Sequence, residues 1–320
     1  MAENLGPKAS PEKVPELDFD PKSVAITAIT FYPNWYIGDP KSIADTDKIR
    51  GDLALRSITV ATQHGYQVVV ADGASSPEFK DSLATLGVEV LQRDKMQRAV
   101  GGRQTIEKAA TLDGVKVILR TELEKVSLIE DCVPLIAQPI LEDRADIVVP
   151  KRNEELYMET YPDYMYESET RGRGLFNNLM HKVGLLPEDQ TMEFLFGAIA
   201  LRNDPNIIAL FMEEYGFQGP PVGGWKYIEP EEWSDIQLFP IVKALYLGYL
   251  VENIEVPFRY PLEQKENEEA NREGFAEKRK QQRMGLISEL IQFIRTLSSD
   301  PKTRGKGKLV RLDTVEESKL

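Results

Sequence analysis

Two acids, Glu122 and Glu124, follow an apolar run that ends at Leu119. Carboxylates at that spacing suit a hard divalent cation, Mn2+ or Mg2+, that also bridges two phosphates. Like charges so close are costly unless a cation or Lys125 shares the site. A further acid, Asp72, closes a run with three consecutive valines and opens Asp72-Gly73-Ala74-Ser75-Ser76. Its oxygens suit the N–H groups of a base or the hydroxyls of a ribose, and Gly73 lets backbone turn closely against a ligand. A basic stretch, Gln92-Arg93-Asp94-Lys95-Met96-Gln97-Arg98, precedes Gly101-Gly102-Arg103. Arg98 and Arg103 beside an expected helix start suit a diphosphate. Earlier, Phe31-Tyr32-Pro33-Asn34-Trp35 is an aromatic loop that Pro33 holds open, and a base could rest on it. Each group alone also reads as ordinary surface: a solvated acid pair, a turn-capping Asp, a basic loop.

Their order along the chain becomes informative once the elements that must position them are read. Residues 24–30 and 67–71 are short β-branched runs, and residues 88–91, 115–119 and 146–149 are three more. Apolar runs this short, bounded by turn residues, predict strands buried on both faces. Helices are expected at about 50–64, from Ser76-Pro77-Glu78 to Gly87, and at 102–110; Ser before Pro before an acid is a helix start. The alternation predicts a mostly parallel sheet flanked by helices. In such a sheet, ligands bind beyond the carboxyl ends of the strands, and Asp72, Arg98 and Glu122 all follow strands.

The second half is less regular. Residues 154–173 are polar and tyrosine-rich, followed by a helix near 175–183, and residues 194–201 read as a strand around Gly197. A long loop with Gly, Pro and two Trp runs to Trp233; a helix at 235–249 and a strand at 250–256 follow. The last helix, about 273–297, carries Met284, Ile287, Leu290, Ile291, Ile294 and Leu297 at helical spacing, a packing face. The expected division is a disordered leader over 1–22, a nucleotide-sugar-binding half over 23–150, an acceptor half over 151–260, a C-terminal helix over 261–298 and a disordered tail over 299–320.

The chain has 320 residues, 42 % hydrophobic and 28 % charged, with a formal net charge of −13. That is the composition of a globular protein with a sizeable core, and the charge sign argues against nucleic acid as a partner. The single cysteine, Cys132, excludes an intrachain disulfide and reads as a small buried hydrophobe. No apolar run is long enough for an integral membrane segment, and a cytoplasmic location is expected. Neither a G-x-G-x-x-G fingerprint nor a P-loop occurs. Nothing in the residues indicates an oligomeric state.

The ordered series resembles glycosyltransferases of the A-type fold, in particular those related to family 2 and to mannosylglycerate-synthase-like enzymes. The likeness covers roughly residues 24–258, by pattern rather than close identity. Asp72-Gly73-Ala74-Ser75-Ser76 is similar to that class's Asp-Gly-Ser-Ser turn, whose acid holds the nucleotide. Gly102-Arg103 resembles the segment leading into the donor site, and Glu122-Leu123-Glu124 stands in the place of its Asp-x-Asp metal motif. Phe196-Gly197-Ala198 up to Arg202 resembles the strand with acceptor contacts, near which Trp233 also falls. Ser234-Asp235-Ile236 resembles the later acidic motif. The resemblance implies a nucleotide-diphosphate-sugar donor with Pro33, Asp72, Arg98, Arg103 and Glu122 at its site, and a divalent cation on Glu122 and Glu124. It implies a small-molecule or lipid-linked hydroxyl acceptor near Gly197, Arg202 and Trp233, with Asp235 as general base in an inverting enzyme. Two departures stand out: Glu replaces Asp in the metal motif, and Arg259 and Tyr260 stand where many relatives carry a late His. Two alternatives use a similar sheet: a non-catalytic nucleotide-sugar-binding protein, and a sugar-phosphate nucleotidyltransferase, whose usual Gly-rich loop after the first strand is lacking.

Overall fold

The computed structural model describes residues 19–94, 97–215, 217–219, 226–228 and 234–299. Most of the expected leader (1–18), the tail from 300, and Trp233 lie outside the described residues.

β1 (Val24–Thr30) and β2 (Gln67–Asp72) are buried along almost their whole length, as their β-branched composition predicts. β1 pairs in parallel with β2 on one side and with β4 (Val117–Arg120) on the other, and β3 (Glu89–Gln92) adds in parallel to β2. Beyond β4 the direction reverses. β6 (Ile199–Arg202) runs antiparallel to β4 and to β5 (Ile147–Arg152), and β9 (Val251–Val256) lies parallel to β5. The sheet order is β3-β2-β1-β4-β6-β5-β9. β7 (Phe217–Gly219) and β8 (Lys226–Ile228) form a separate antiparallel pair.

Alternate residues of each strand serve opposite faces. Ala25, Val69, Ile118 and Leu201 join one core, while Val24, Ile26, Val68, Val70, Leu119 and Ala200 join the other. The first is covered by α3 (Arg98–Ala110), α6 (Asp163–Lys182), α7 (Pro205–Met212), α8 (Phe239–Leu247) and α10 (Arg272–Ser299). The second is covered by α1 (Thr46–Gln63), α2 (Pro77–Thr85) and α4 (Val133–Leu141), with Tyr157 of α5 (Glu154–Thr160). The molecule is thus one α/β domain of three layers with a seven-stranded, mostly parallel sheet. The cap signals act as expected: Ser76 Oγ accepts from Phe79 N at 3.2 Å with Pro77 in the first turn, and α8 ends on Gly248 at φ +86°. In α10, Ile287, Leu290, Ile291, Ile294 and Leu297 are all buried in the first core. Cys132 is fully buried, and burial pushes its thiol pKa up.

Three expectations are corrected. α3 starts at Arg98, so Gly101 and Gly102 lie inside the helix instead of opening it. Glycine at 101 makes room for a neighbour instead: a Cβ there would stand 2.2 Å from Arg93 Cδ. The tyrosine-rich stretch is helical, as α5 and the start of α6, because its tyrosines turn inward around a buried arginine rather than forming an apolar stripe. Residues 121–125 form a turn, with Lys125 N bonded to Glu122 O at 3.3 Å. The C-terminal helix is preceded by a separate α9 (Leu262–Ala270).

Candidate functional site

β1, β2, β4 and β5 point the same way, so Thr30, Asp72, Arg120 and Arg152 end at one edge of the sheet. β6 is reversed, and it brings its start to that edge: Ile199 faces Arg120 in register. A cleft of about 570 Å³ opens there. Its lining includes Phe31, Tyr32, Arg50, Arg93, Arg98, Arg120, Glu122, Glu124, Lys125, Gly197 and Gln237. The side contributed by α6 and α9 adds Tyr161, Met165, Gln264 and Glu268, with Tyr260.

Glu124 is 6 % exposed, and one of its oxygens is heavily used. Oε1 accepts from Tyr32 OH at 2.9 Å and Arg50 Nε at 2.8 Å. Burial first, and then the Glu124 charge, pushes the Tyr32 phenol far above its usual range. Glu122 is paired with Lys125. Lys125 thus shares the acids' site, and the turn over 121–125 brings residues three apart together. Gly197 sits where these groups converge. A Cβ there would stand 3.4 Å from Lys125 Nζ, 3.5 Å from Gln237 Nε2 and 3.7 Å from Glu122 Oε2, and its φ of +87° favours glycine.

Arg120 donates from Nη1 to Gln237 Oε1 at 2.9 Å. Burial lowers its pKa to about 10, partly offset by the Glu122 charge. Gln237 belongs to a π-helical turn, Ser234–Leu238, that leads into α8. A second π-helical turn, Leu128–Cys132, follows the two acids. Such turns re-aim side chains that a regular helix would carry elsewhere.

The other sequence candidates divide clearly. Arg98, Glu122, Glu124 and Gly197 line the cleft, and exposed Pro33 adjoins its lining residues Phe31 and Tyr32. Asp72 is fully buried and is not part of the lining. It accepts from Thr30 Oγ1 at 2.9 Å, Ser75 N at 3.0 Å and Ala74 N at 3.1 Å, holding a turn in which Ala74 takes φ +71°. A left-handed residue with a Cβ costs roughly 1–2 kcal/mol, and this carboxylate helps to hold the turn that carries it. Arg103 and Asp235 are paired with each other. Arg103 Nη2 donates to Asp235 Oδ2 at 2.5 Å and to Glu213 O at 2.8 Å, and Asp235 Oδ1 accepts from Tyr215 N at 2.8 Å. Neither is in the lining, whereas the next residues, Ile236 and Gln237, are. Arg202 ends the reversed strand and therefore lies at the opposite edge, opposite Val117, bound to Asp143 and Ala145 O.

Sequence reasoning missed Tyr32 and Arg50 as partners of Glu124, and Arg120 and Gln237 as cleft residues. Only Arg120 has a local signal, a charge on the last residue of an otherwise apolar buried strand.

Arg93 also lies across the mouth of β2. Its Nη2 donates to Thr30 O at 3.1 Å, and a Cβ on Gly73 would stand 2.5 Å from its Cζ. Gly101→Ala is expected to destabilise by about 1–3 kcal/mol, the range for overpacking. Arg93→Ala in the same chain should recover most of that loss. Urea denaturation of the double-mutant cycle checks it; additive effects would separate Gly101 from Arg93.

No family model matches the chain, and no curated protein matches it in sequence. Among solved structures it is similar to glucosyl-3-phosphoglycerate synthase from Mycobacterium tuberculosis. With Mn2+, UDP-glucose and phosphoglyceric acid bound, that protein is 11 % identical over 76 % of this chain and 74 % of that chain, with a TM-score of 0.42. With Mn2+, UDP and glucosyl-3-phosphoglycerate bound, it is 12 % identical over the same shares, with a TM-score of 0.39. A further mycobacterial protein is 12 % identical over 75 % of this chain and 68 % of that chain, with a TM-score of 0.43. The likeness is distant, and function at this cleft rests on its own residues.

Proposed function

We propose that the chain is an A-type-fold glycosyltransferase whose cleft binds a nucleoside-diphosphate sugar and passes the sugar to a hydroxyl acceptor. One observation carries this reading: two carboxylates, Glu122 and Glu124, share the lining of a carboxyl-edge cleft with Arg93, Arg98 and Arg120. A cleft that needed only cations for an anion, or only acids for a metal, would not combine them. Phosphates bridged by a cation need both.

The residues fit a divalent ion under one condition. Glu124 Oε2 accepts no hydrogen bond among the described residues, and the Glu122 side chain is 57 % exposed. No cluster of three or more His, Cys, Asp or Glu is assembled among the described residues. Two carboxylates would therefore hold an ion whose other ligands are phosphates and water, the usual arrangement for Mg2+. The condition is that Lys125, which occupies Glu122, must move aside. Ion binding is thus coupled to the nucleotide. When bound, such an ion would neutralise the leaving diphosphate.

The chain's own groups do the rest. Arg98 orients the phosphates, and Tyr32 and Arg50 hold the Glu124 carboxylate in one place. Tyr161, Tyr260, Gln264 and Glu268 offer hydrogen bonds to a hydroxyl-bearing acceptor, small or lipid-linked, beside Gly197. Asp235 would serve as general base only if released from Arg103; as paired, it fixes Gln237. No helix among the described residues is long and apolar enough to cross a membrane, and a cytoplasmic site of action belongs to this reading.

A second reading has its own support. Glu122, Glu124 and Asp235 each carry a cationic partner already, which suits a protein that binds a nucleotide sugar without turning it over. Thermal denaturation with UDP-, GDP- and ADP-sugars, with and without Mn2+, tests both. A ligand at about 100 times its dissociation constant should stabilise the fold by about 2.7 kcal/mol, and Mn2+ should increase the effect. Stabilisation with transfer to a polyol supports the transferase, and stabilisation with no transfer supports the binding protein. No stabilisation by any sugar nucleotide overturns both.

A further inference from the structure

We propose that Arg120, oriented by Gln237, is a phosphate-binding residue of the cleft. The inference rests on the nucleoside-diphosphate reading and adds to it a residue placed by charge balance. The neighbouring acids are each matched: Glu122 with Lys125, Glu124 with Arg50, and Asp235 with Arg103. Arg120 stands among them and makes no ion pair with any described residue. A partly buried guanidinium with no direct ion pair, whose burial the Glu122 charge offsets only in part, is costly to hold. Such a cost is repaid when a ligand supplies the anion.

The geometry gives the cation a direction. Gln237 Oε1 accepts from Nη1 at 2.9 Å, and the remaining Arg120 donors bond no described protein group and are not sealed from the cleft. A guanidinium held at one corner presents its other N–H groups as a fork, the shape that takes two oxygens of one phosphate. Gln237 is itself fixed by its place in the π-helical turn, which Asp235 anchors to Arg103 and to Tyr215 N. On the far side, Gly102 leaves the space: a Cβ there would stand 3.1 Å from Ile236 Cδ1 and 3.8 Å from Arg120 Nε. Arg103 and Asp235 therefore act through Gln237 as positioning residues, although neither lines the cleft.

The test is calorimetric titration of the full chain with inorganic pyrophosphate, with UDP, GDP and ADP, and with the corresponding nucleosides. Arg120→Gln should weaken pyrophosphate binding by about tenfold or more, the loss of a charge-assisted pair. Arg120→Lys, which keeps the charge but not the fork, should lose less. Gln237→Glu keeps Arg120 in place and neutralises it, so it should also weaken pyrophosphate by about tenfold while leaving the melting temperature unchanged or higher. Nucleoside affinity should not change in any variant. Failure of the wild-type chain to bind pyrophosphate, or equal binding by wild type, Arg120→Gln and Gln237→Glu, overturns the inference. Nucleoside diphosphates bound equally by wild type and both variants would do the same while sparing the transferase reading. Arg120-dependent binding of pyrophosphate with no binding of any nucleotide supports the anion site and overturns the nucleotide reading instead.

Discussion

Arg152→Met is expected to destabilise the fold by about 3–5 kcal/mol, the cost of removing one partner from a buried ion cluster. Arg152 is 1 % exposed at the end of β5. Its Nη1 lies 2.6 Å from Glu169 Oε2 and its Nη2 lies 3.0 Å from Glu193 Oε1. Its Cζ stands 3.8 Å from the ring centroid of Tyr157 and 5.1 Å from those of Tyr161 and Phe196. Methionine fills much of the volume but takes a cation from Glu169, whose Oε2 also accepts from Tyr157 OH at 3.1 Å, and from Glu193, which keeps Arg173 at 3.3 Å. Burial makes that unbalanced negative charge costly while the carboxylates are ionised. The variant's deficit should therefore be small in acid and grow toward neutrality. Urea denaturation as a function of pH checks this, and Arg152→Met with Glu169→Gln and Glu193→Gln should regain much of the loss. A deficit independent of pH would show that packing, not charge, is what Arg152 supplies.

Glu124→Gln is expected to lower sugar transfer by about 100-fold or more, because an ion that stabilises a leaving diphosphate contributes several kcal/mol. The substitution removes the charge offered through Oε2 and weakens the hold on Arg50. Tyr32→Phe is the control. It deletes the 2.9 Å hydrogen bond to Oε1 and leaves the carboxylate, so its effect should be smaller, about tenfold, the low end for a group that only orients a ligand. Steady-state kcat/KM across a Mn2+ series reads both. If Glu124→Gln keeps wild-type Mn2+ dependence, the acid pair does not bind the ion.

The legible parts of this chain are those whose cause is local. β1 and β2 are recognisable because strands covered on both faces must be apolar at each position. The start of α2 is recognisable because Ser76 and Pro77 act within four residues of themselves. Asp72 shows the limit. A carboxylate that ends a strand looks the same in sequence whether or not it ties down backbone, and its bonds to Ala74 N and Ser75 N are visible only in the folded turn. Arg202 shows another limit. Its distance from the cleft follows from the reversal of β6, and strand direction leaves no mark on a four-residue apolar run. Arg50 and Tyr32 reach Glu124 from 74 and 92 residues away, so no spacing rule connects them. The polar tyrosine-rich stretch hid its helices because its buried face is organised around Arg152, which lies outside it in sequence.

The reversed strand also bears on how the chain is made. β3, β2, β1 and β4 are complete once Arg120 has been synthesised, and they form a contiguous parallel half-sheet. The free edge of that half-sheet is Val117-Ile118-Leu119, and the strand that covers it, β6, emerges roughly eighty residues later. At about 5–20 residues per second, a ribosome exposes that edge for about 4–16 s. An unpaired apolar edge is a template for any strand that arrives first. Expression yield should therefore depend on translation speed between β4 and β6, and on chaperones that cover strand edges, more than on the stability of the finished fold.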